Sequence, residues 1–387
     1  MNVKAVFQVA SLVRTATPAR NAYAGLVCQK RLMSGQSSDA DHAHRRSFST
    51  TTASPSVVVD QAFDYSLPPP PPTLLKPLPM IDFFATQKPK PSYCFSHGAS
   101  GHAKRGRQTK TIQDNYYKSR QVGEDALFLR HDAIGVADGV GGWSENTPGS
   151  SPALYSRKLM HHAFLEMERF DNLEDPHFCR HAEANPVEVL QATYDHSMRE
   201  AHRENLIGSS TACLAILRAD EVRVANLGDC GISIIRNNSY IFRSEEQQHS
   251  FNYPFQLGTR SRDRPKHAQS FNVKVQKGDI IIMGSDGLFD NVFDSEILAT
   301  VRKHVSSYII PGNEHRPARV MEFDPQGLSD VLAKQALDAS EDKRHIDSPF
   351  QRRAMNSGFY FQGGKADDIS VVVAVVQDSE DSPDRRL

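Results

Sequence analysis

Residues that build covalent or aromatic frameworks are scarce in this chain: it has five cysteines and one tryptophan in 387 residues. Cys28, Cys94, Cys179, Cys213 and Cys230 are odd in number, far apart and without a CxxC pair, which argues against a disulfide framework and a structural zinc site. Cys213 falls in the apolar run TACLAIL and is expected in the core as a small hydrophobe. No apolar run approaches the ~20 residues that cross a bilayer, so no transmembrane segment is expected. A formal net charge of −1 is too even for a protein that grips nucleic acid with a general basic surface.

Acids are missing altogether before Asp39, where Lys4, Arg14, Arg20, Lys30 and Arg31 stand. An acid-poor, Arg- and Ser-bearing start whose first residues, MNVKAVFQVASLV, can form a short amphipathic helix has the make-up of a mitochondrial presequence. The strings RLMS at 31–34 and RSFS at 46–49 look like matrix-processing sites. Residues 1–48 are therefore read as a presequence and the matrix as the destination; a basic extension without an address is the alternative. Residues 49–90 read as a Ser/Pro-rich disordered linker, since the unbroken run Pro68 to Pro72 favours an extended polyproline helix and cannot pair in a sheet. A folded domain over 91–378 and a disordered tail over 379–387 remain.

Within that domain, LFLRHDAIGVADG predicts two strands around a His131-Asp132 turn. Helical spacing follows over 151–170 and 186–203. The stretch STACLAILRADEVRVANLGDCGISIIRNNSYIFRSEE predicts four strands, with hairpins at Ala219-Asp220, Gly228-Asp229 and Asn237-Asn238. FNVKVQKGDIIIMGSDG supplies two more strands, 296–340 is helix-rich, and ISVVVAVV closes the domain. Strands grouped apart from helices indicate an α+β fold.

Acidic residues flank these strands: Glu124 and Asp125 in GEDALF, Asp138 in ADGVGGW, Asp286 in GSDGLFDN, and Asp367 with Asp368 in KADDIS. IGVAD and IIIMGSD end in their Asp, whereas DDISVVVAVV begins with it, so opposite strand directions bring the acids to one edge. Clustered carboxylates repel one another unless hard cations lie between them, and all-oxygen ligation favours Mg²⁺ or Mn²⁺ over zinc. Two such ions can share a water, lower its pKa and aim it at phosphorus. Gly139, lacking a Cβ, lets its carbonyl turn toward a metal. An EF-hand is excluded because Leu288 interrupts the pattern, and Asp290 and Asp294 are expected to cap or solvate the next helix.

The ordered series GEDALF, ADGVGGW, GSSTA, NLGDCG, GSDGLFDN, ADDIS resembles the metal-dependent PPM, or PP2C-type, protein serine/threonine phosphatases. The strings LGSSTA, ANLGDCG, RSEEQQHSFNYPFQLG and GGKADDIS are similar to the mitochondrial PTC7-like branch. The resemblance runs from about Tyr93 to Val376 and implies a four-layer αββα fold, a central antiparallel β-sandwich flanked by helix pairs. It also implies roles. Asp138 bridges two Mn²⁺ or Mg²⁺ ions, Asp286 and Asp367 complete one shell, and Glu124 with the Gly139 carbonyl contacts the other ion. Asp125 supports the cluster, Asp368 acts behind it or on a weaker third ion, Asp229 lies nearby, and Arg120 binds phosphate, with a solvated basic face shared with Lys118 as the alternative reading of that arginine. The implied reaction is in-line attack of a metal-bridging hydroxide on a phosphorylated protein.

One departure stands out. Many relatives read DGHGG, with a histidine that protonates the leaving alcohol, where this chain has Val140. A phosphoprotein-binding pseudophosphatase and a small-molecule phosphatase on the same fold are the alternatives. His249 is a possible substitute acid, with a hydrogen-bonded loop histidine the plainer expectation, and Trp143 is expected to anchor the core.

Overall fold

The computed structural model describes residues 92–104, 116–142, 147–310, 319–320 and 323–381. The presequence and linker readings, Trp143 and residues 382–387 lie outside that range. Strands β1 (Tyr93–His102), β2 (Arg120–Val122), β3 (Asp125–Leu129) and β4 (Ala133–Ala137) lead to helices α1 (Pro152–Glu168) and α2 (Pro186–Glu204). Then come β5 (Ala212–Arg218), β6 (Glu221–Leu227), β7 (Gly231–Arg236), β8 (Ser239–Arg243), β9 (Gln269–Lys274) and β10 (Ile280–Gly284). Helices α3 (Asp294–Ser306), α4 (Pro325–Glu341) and α5 (Pro349–Asn356) precede the last strand, β11 (Ile369–Asp378). A short 3₁₀ turn, Ser379–Asp381, carries regular structure just past the expected boundary at 378.

Two antiparallel sheets form, five strands in the order β1-β11-β10-β7-β8 and six in the order β9-β6-β5-β4-β3-β2. The apolar run of β11 is continuous because both its faces are covered. Val372, Ala374 and Val376 point between the sheets, onto Ile281, Met283, Ile232 and Val136. Ile369, Val371, Val373 and Val375 point the other way, onto Leu328, Leu332 and Ile297 of the α3–α4 layer. The second sheet divides likewise: Leu214 and Ile216 pack on Leu159, Met160 and Leu190 of α1 and α2, while Cys213 and Ala215 face the first sheet. The result is the expected four-layer αββα sandwich. Burial pushes the Cys213 thiol up to about 12, as suits a core residue.

Helix starts follow the local chemistry. Ser151 accepts from the Leu154 amide, Asn185 from Val187, and Asp324 from Gln326 and Gly327, each ahead of a proline at the first helical position. Asn237 and Asn238, at φ 49° and 60°, make the β7–β8 turn. The Gly228-Asp229 hairpin does not form: β6 and β7 lie in different sheets. Gly228 adopts φ 106° against the Thr211 side chain, and the chain there crosses from one sheet to the other.

Candidate active site

Strand direction gathers the acids. Ala126 pairs with Ala137, so Asp125 at the start of β3 lies beside Asp138 just past β4. In the facing sheet Gly284 pairs with both Val371 and Gly231, which brings Asp286, Asp367 and Asp229 to the same edge. Asp138 is held through its backbone: its amide donates to Thr211 Oγ1 at 3.0 Å, and its carbonyl accepts from the Thr211 amide at 2.9 Å and Ser210 Oγ at 2.8 Å. A Cβ on Gly139 would come within 2.5 Å of the Glu124 carbonyl, so the loop after β4 needs glycine to pass close to the β2–β3 turn.

Asp368 is tied to the backbone around it. Its two carboxylate oxygens accept from the Glu124 amide at 2.8 Å and the Lys104 amide at 2.7 Å. Gly123, at φ 62°, has no room for a side chain against that carboxylate. Asp368 thus fastens the Glu124–Asp125 corner to the start of β11. Arg120 is exposed on β2 and donates to the Ala99 carbonyl at 3.0 Å. His249 Nε2 meets the Asp263 carboxylate at 2.9 Å and its ring stacks on Phe255, the plainer of its two expected placements.

Four residues at this edge were not anticipated: Asp290, Arg353, Lys365 and Asn291. Asp290 does not cap or solvate the next helix: it is buried, and its carboxylate meets Lys365 Nζ at 2.7 Å and Arg353. The cap of α3 is made instead by Glu296, which accepts from the Phe293 amide. Lys365 reaches among the acids, contacting Asp286 and standing 3.3 Å from Asp367, while Asn291 grips its backbone amide at 2.8 Å. The sequence held signals for two of them. Asp290 follows Asp286 at the spacing that puts both on one helix face, and Lys365 stands two residues before Asp367.

The electrostatics show what is missing from the protein atoms alone. Both Asp125 carboxylate oxygens, Asp229 Oδ1 and Asp286 Oδ1 are buried without a hydrogen-bond partner among the described residues. Leaving such an atom unpaired costs about 1–3 kcal/mol, more when charged. Burial, then the neighbouring acids, pushes Asp138 well above the usual carboxylate range. Burial and Asp368 do the same to Asp125, and burial and Asp286 to Asp229. Burial raises Asp286 to about 6 against the pull of Lys365. Only Asp367 is lowered, because Lys365 and Lys104 outweigh its burial. Lys365, Lys104 and Arg353 stand against Asp125, Asp138, Asp229, Asp286, Asp290 and Asp367, which leaves the site short of positive charge, as suits hard divalent cations.

A second group of ligand-type side chains, His131, Asp132 and Asp171, lies at the opposite end of β3 and β4. It is an ion-pair network: Asp132 meets Arg130 and Arg218, each at 2.9 Å, and Asp171 meets Arg130.

Residues 177–377 match the family described as Stage II sporulation protein E (SpoIIE). The chain is 36% identical over 278 residues to the protein phosphatase PTC7 homolog of Xenopus laevis, covering 68% of this chain and 84% of that one. The human PTC7 homolog is 35% identical over 279 residues, with 68% and 83% covered. The probable protein phosphatase 2C 80 of Arabidopsis thaliana is 36% identical over 265 residues, covering 68% of this chain. The match spans about half the length of that relative and of the probable protein phosphatase 2C 55, 56% and 50% respectively. Among solved structures, the photosystem II phosphatase PBCP superposes with a TM-score of 0.55 at 28% identity, covering 73% of this chain and 99% of that one. With the acid edge, the sandwich and these relatives in agreement, the chain belongs to the PPM, or PP2C-type, protein phosphatases, on their PTC7-like branch.

Proposed function

We propose that the chain is a metal-dependent protein serine/threonine phosphatase that acts on phosphorylated proteins of the mitochondrial matrix. The observation that carries this reading is the convergence of Asp125, Asp138, Asp229, Asp286 and Asp367 on one edge of both sheets, with buried carboxylate oxygens left unpaired. The side chains of Asp138, Asp286, Asp367 and Glu124, with the Gly139 carbonyl, would hold two Mn²⁺ or Mg²⁺ ions. Bound there, such ions neutralise phosphoryl charge and make water a nucleophile at neutral pH.

The chain's own groups do the rest. Thr211 and Ser210 fix the position of Asp138, and Asp368 fixes that of Glu124. Asp125 closes the buried side of the cluster. Arg120 uses one of its guanidinium donors on Ala99 and keeps others for a phosphate oxygen. Val140 carries no proton to give, so protonation of the leaving alkoxide falls to solvent. The acid-free start of the chain, before Asp39, supports the matrix address.

Purified protein is expected to release phosphate from phosphoserine peptides when Mn²⁺ is present and to stop in EDTA; metal-independent release would refute it. Residues 1–48 fused to a fluorescent protein are expected to carry it into mitochondria, and a diffuse signal would remove the matrix address. Val140 and the hold of Lys365 on Asp286 favour a second reading, phosphoprotein binding without turnover. Calorimetric Mn²⁺ binding with no phosphate release from any peptide would select it.

A further inference from the structure

The loop that carries Lys365 also builds a surface that the chemistry so far leaves unused. Helix α5 has Phe350 in its first turn, and the Phe350 amide donates to the Asp290 carbonyl at 3.0 Å, so this helix is tethered to the acid cluster itself. Ser348, its N-cap, donates to the Gly363 carbonyl at 2.7 Å, and the Gly363 amide donates to Gln351 at 2.6 Å. The segment 348–365 is thereby closed into one unit.

On its outer side lies a cavity of about 370 Å³ lined by Gln248, Ser250, Phe251, Arg353, Asn356 and Ser357. Phe251 stacks on Phe359 at 5.3 Å and also meets Phe350 at 5.3 Å. Lys365 Nζ stands over the Phe350 ring at 5.0 Å. The segments that line this cavity also carry exposed apolar side chains: Tyr253 is 52% exposed, Met355 60%, Phe359 49% and Tyr360 89%. Aromatic side chains kept in water so close together mark a binding face.

We propose that this face docks the polypeptide on either side of the phosphorylated residue, with an apolar side chain of the substrate laid on the exposed rings of Phe359 and Tyr360, beside the Phe251–Phe359 stack. The inference rests on the phosphatase reading and adds to it the residues that select the substrate. Arg353 argues for this occupant. It lines the cavity and also reaches inward to Asp290 and, at 3.0 Å, to Glu246. Arg353 therefore joins the cavity to the acid cluster, so residues beside a phosphoryl group held at that edge can be laid along this wall. The lining suits a peptide as well, because Gln248, Ser250, Asn356 and Ser357 can both donate to and accept from extended backbone, while the aromatic rim supplies apolar area for one side chain.

The test compares wild type with the double variant Phe359→Ser, Tyr360→Ser. The substrates are p-nitrophenyl phosphate, which is too small to span the face, and phosphoserine peptides in which one leucine is walked through the flanking positions of a polar sequence. Wild type is expected to favour peptides with leucine at the docking position by about tenfold in kcat/KM, and the double variant to lose that preference through KM. Hydrolysis of p-nitrophenyl phosphate should be unchanged, which also shows that the variant folds. A preference kept by the variant, or an equal fall on both kinds of substrate, overturns the proposal. Failure of wild type on every substrate would instead refute the phosphatase reading. The docking face is then read by fluorescence anisotropy of a labelled phosphopeptide: binding about tenfold weaker in the variant supports it, and equal binding overturns it.

Discussion

Lys365 is the residue whose part in the site is most open to measurement. With a side-chain exposure of 14% it faces Asp286, Asp290 and Asp367, so its ammonium balances charge wherever divalent ions are withheld. Removing one partner of a buried ionic cluster costs ~3–5 kcal/mol. Lys365→Met is therefore expected to lose about that much stability in EDTA, by urea unfolding, while binding Mn²⁺ more tightly by calorimetry, since the metal no longer meets a fixed cation. Unchanged metal affinity would mean that Lys365 lies outside the ions' field. A second residue gives a pH signature away from the acids. His161 accepts from the Lys118 amide at 3.1 Å, and burial, followed by His162, pushes its pKa down to about 4. An unfolded chain protonates this ring near pH ~6.5. Between those values the unfolded state binds a proton that the folded state refuses, so stability is lost as pH falls through that window. In His161→Gln the fall in stability over the same window should be shallower than in wild type.

Elements differed in how plainly they were written in the sequence. Strands β3, β4, β5, β10 and β11 announced themselves because apolar and β-branched residues fill both their faces. The first strand did not, although all ten of its residues pair with β11. Its sequence, YCFSHGASGH, is rich in small residues because α4 crosses close above it: a Cβ on Gly98 would lie 2.4 Å from the Gln326 backbone. Gly98→Val is accordingly expected to destabilise the fold by ~1–3 kcal/mol, the usual cost of overpacking, read as a lower thermal midpoint. Helix α5 also escaped notice, because in PFQRRAMN only Phe350 and Ala354 are buried. The turn at Gly228-Asp229 carried the composition of a hairpin, but composition does not say whether the next strand folds back or crosses over.

At the scale of the molecule, the acid edge was legible because it depends on strand direction, which apolar runs ending or beginning in Asp reveal. Asp290 and Lys365 were marked only by their spacing from Asp286 and Asp367, and Arg353 not at all, because their meeting depends on how α5 and the loop after it pack against this edge. The whole domain converges on that edge, both sheets contributing ligand-type residues, so metal and fold should be linked. Mn²⁺ at a hundred times its Kd is expected to add ~2.7 kcal/mol of stability, visible as a rise in Tm that EDTA reverses. The most direct measurement of the central claim is phosphate release from a phosphoserine peptide with Mn²⁺, comparing wild type with Asp286→Ala. A loss of at least about a hundredfold in kcat/KM is predicted, equivalent to ~2.7 kcal/mol or more of transition-state stabilisation. Equal rates in the two proteins would contradict the assignment of this edge as the catalytic centre.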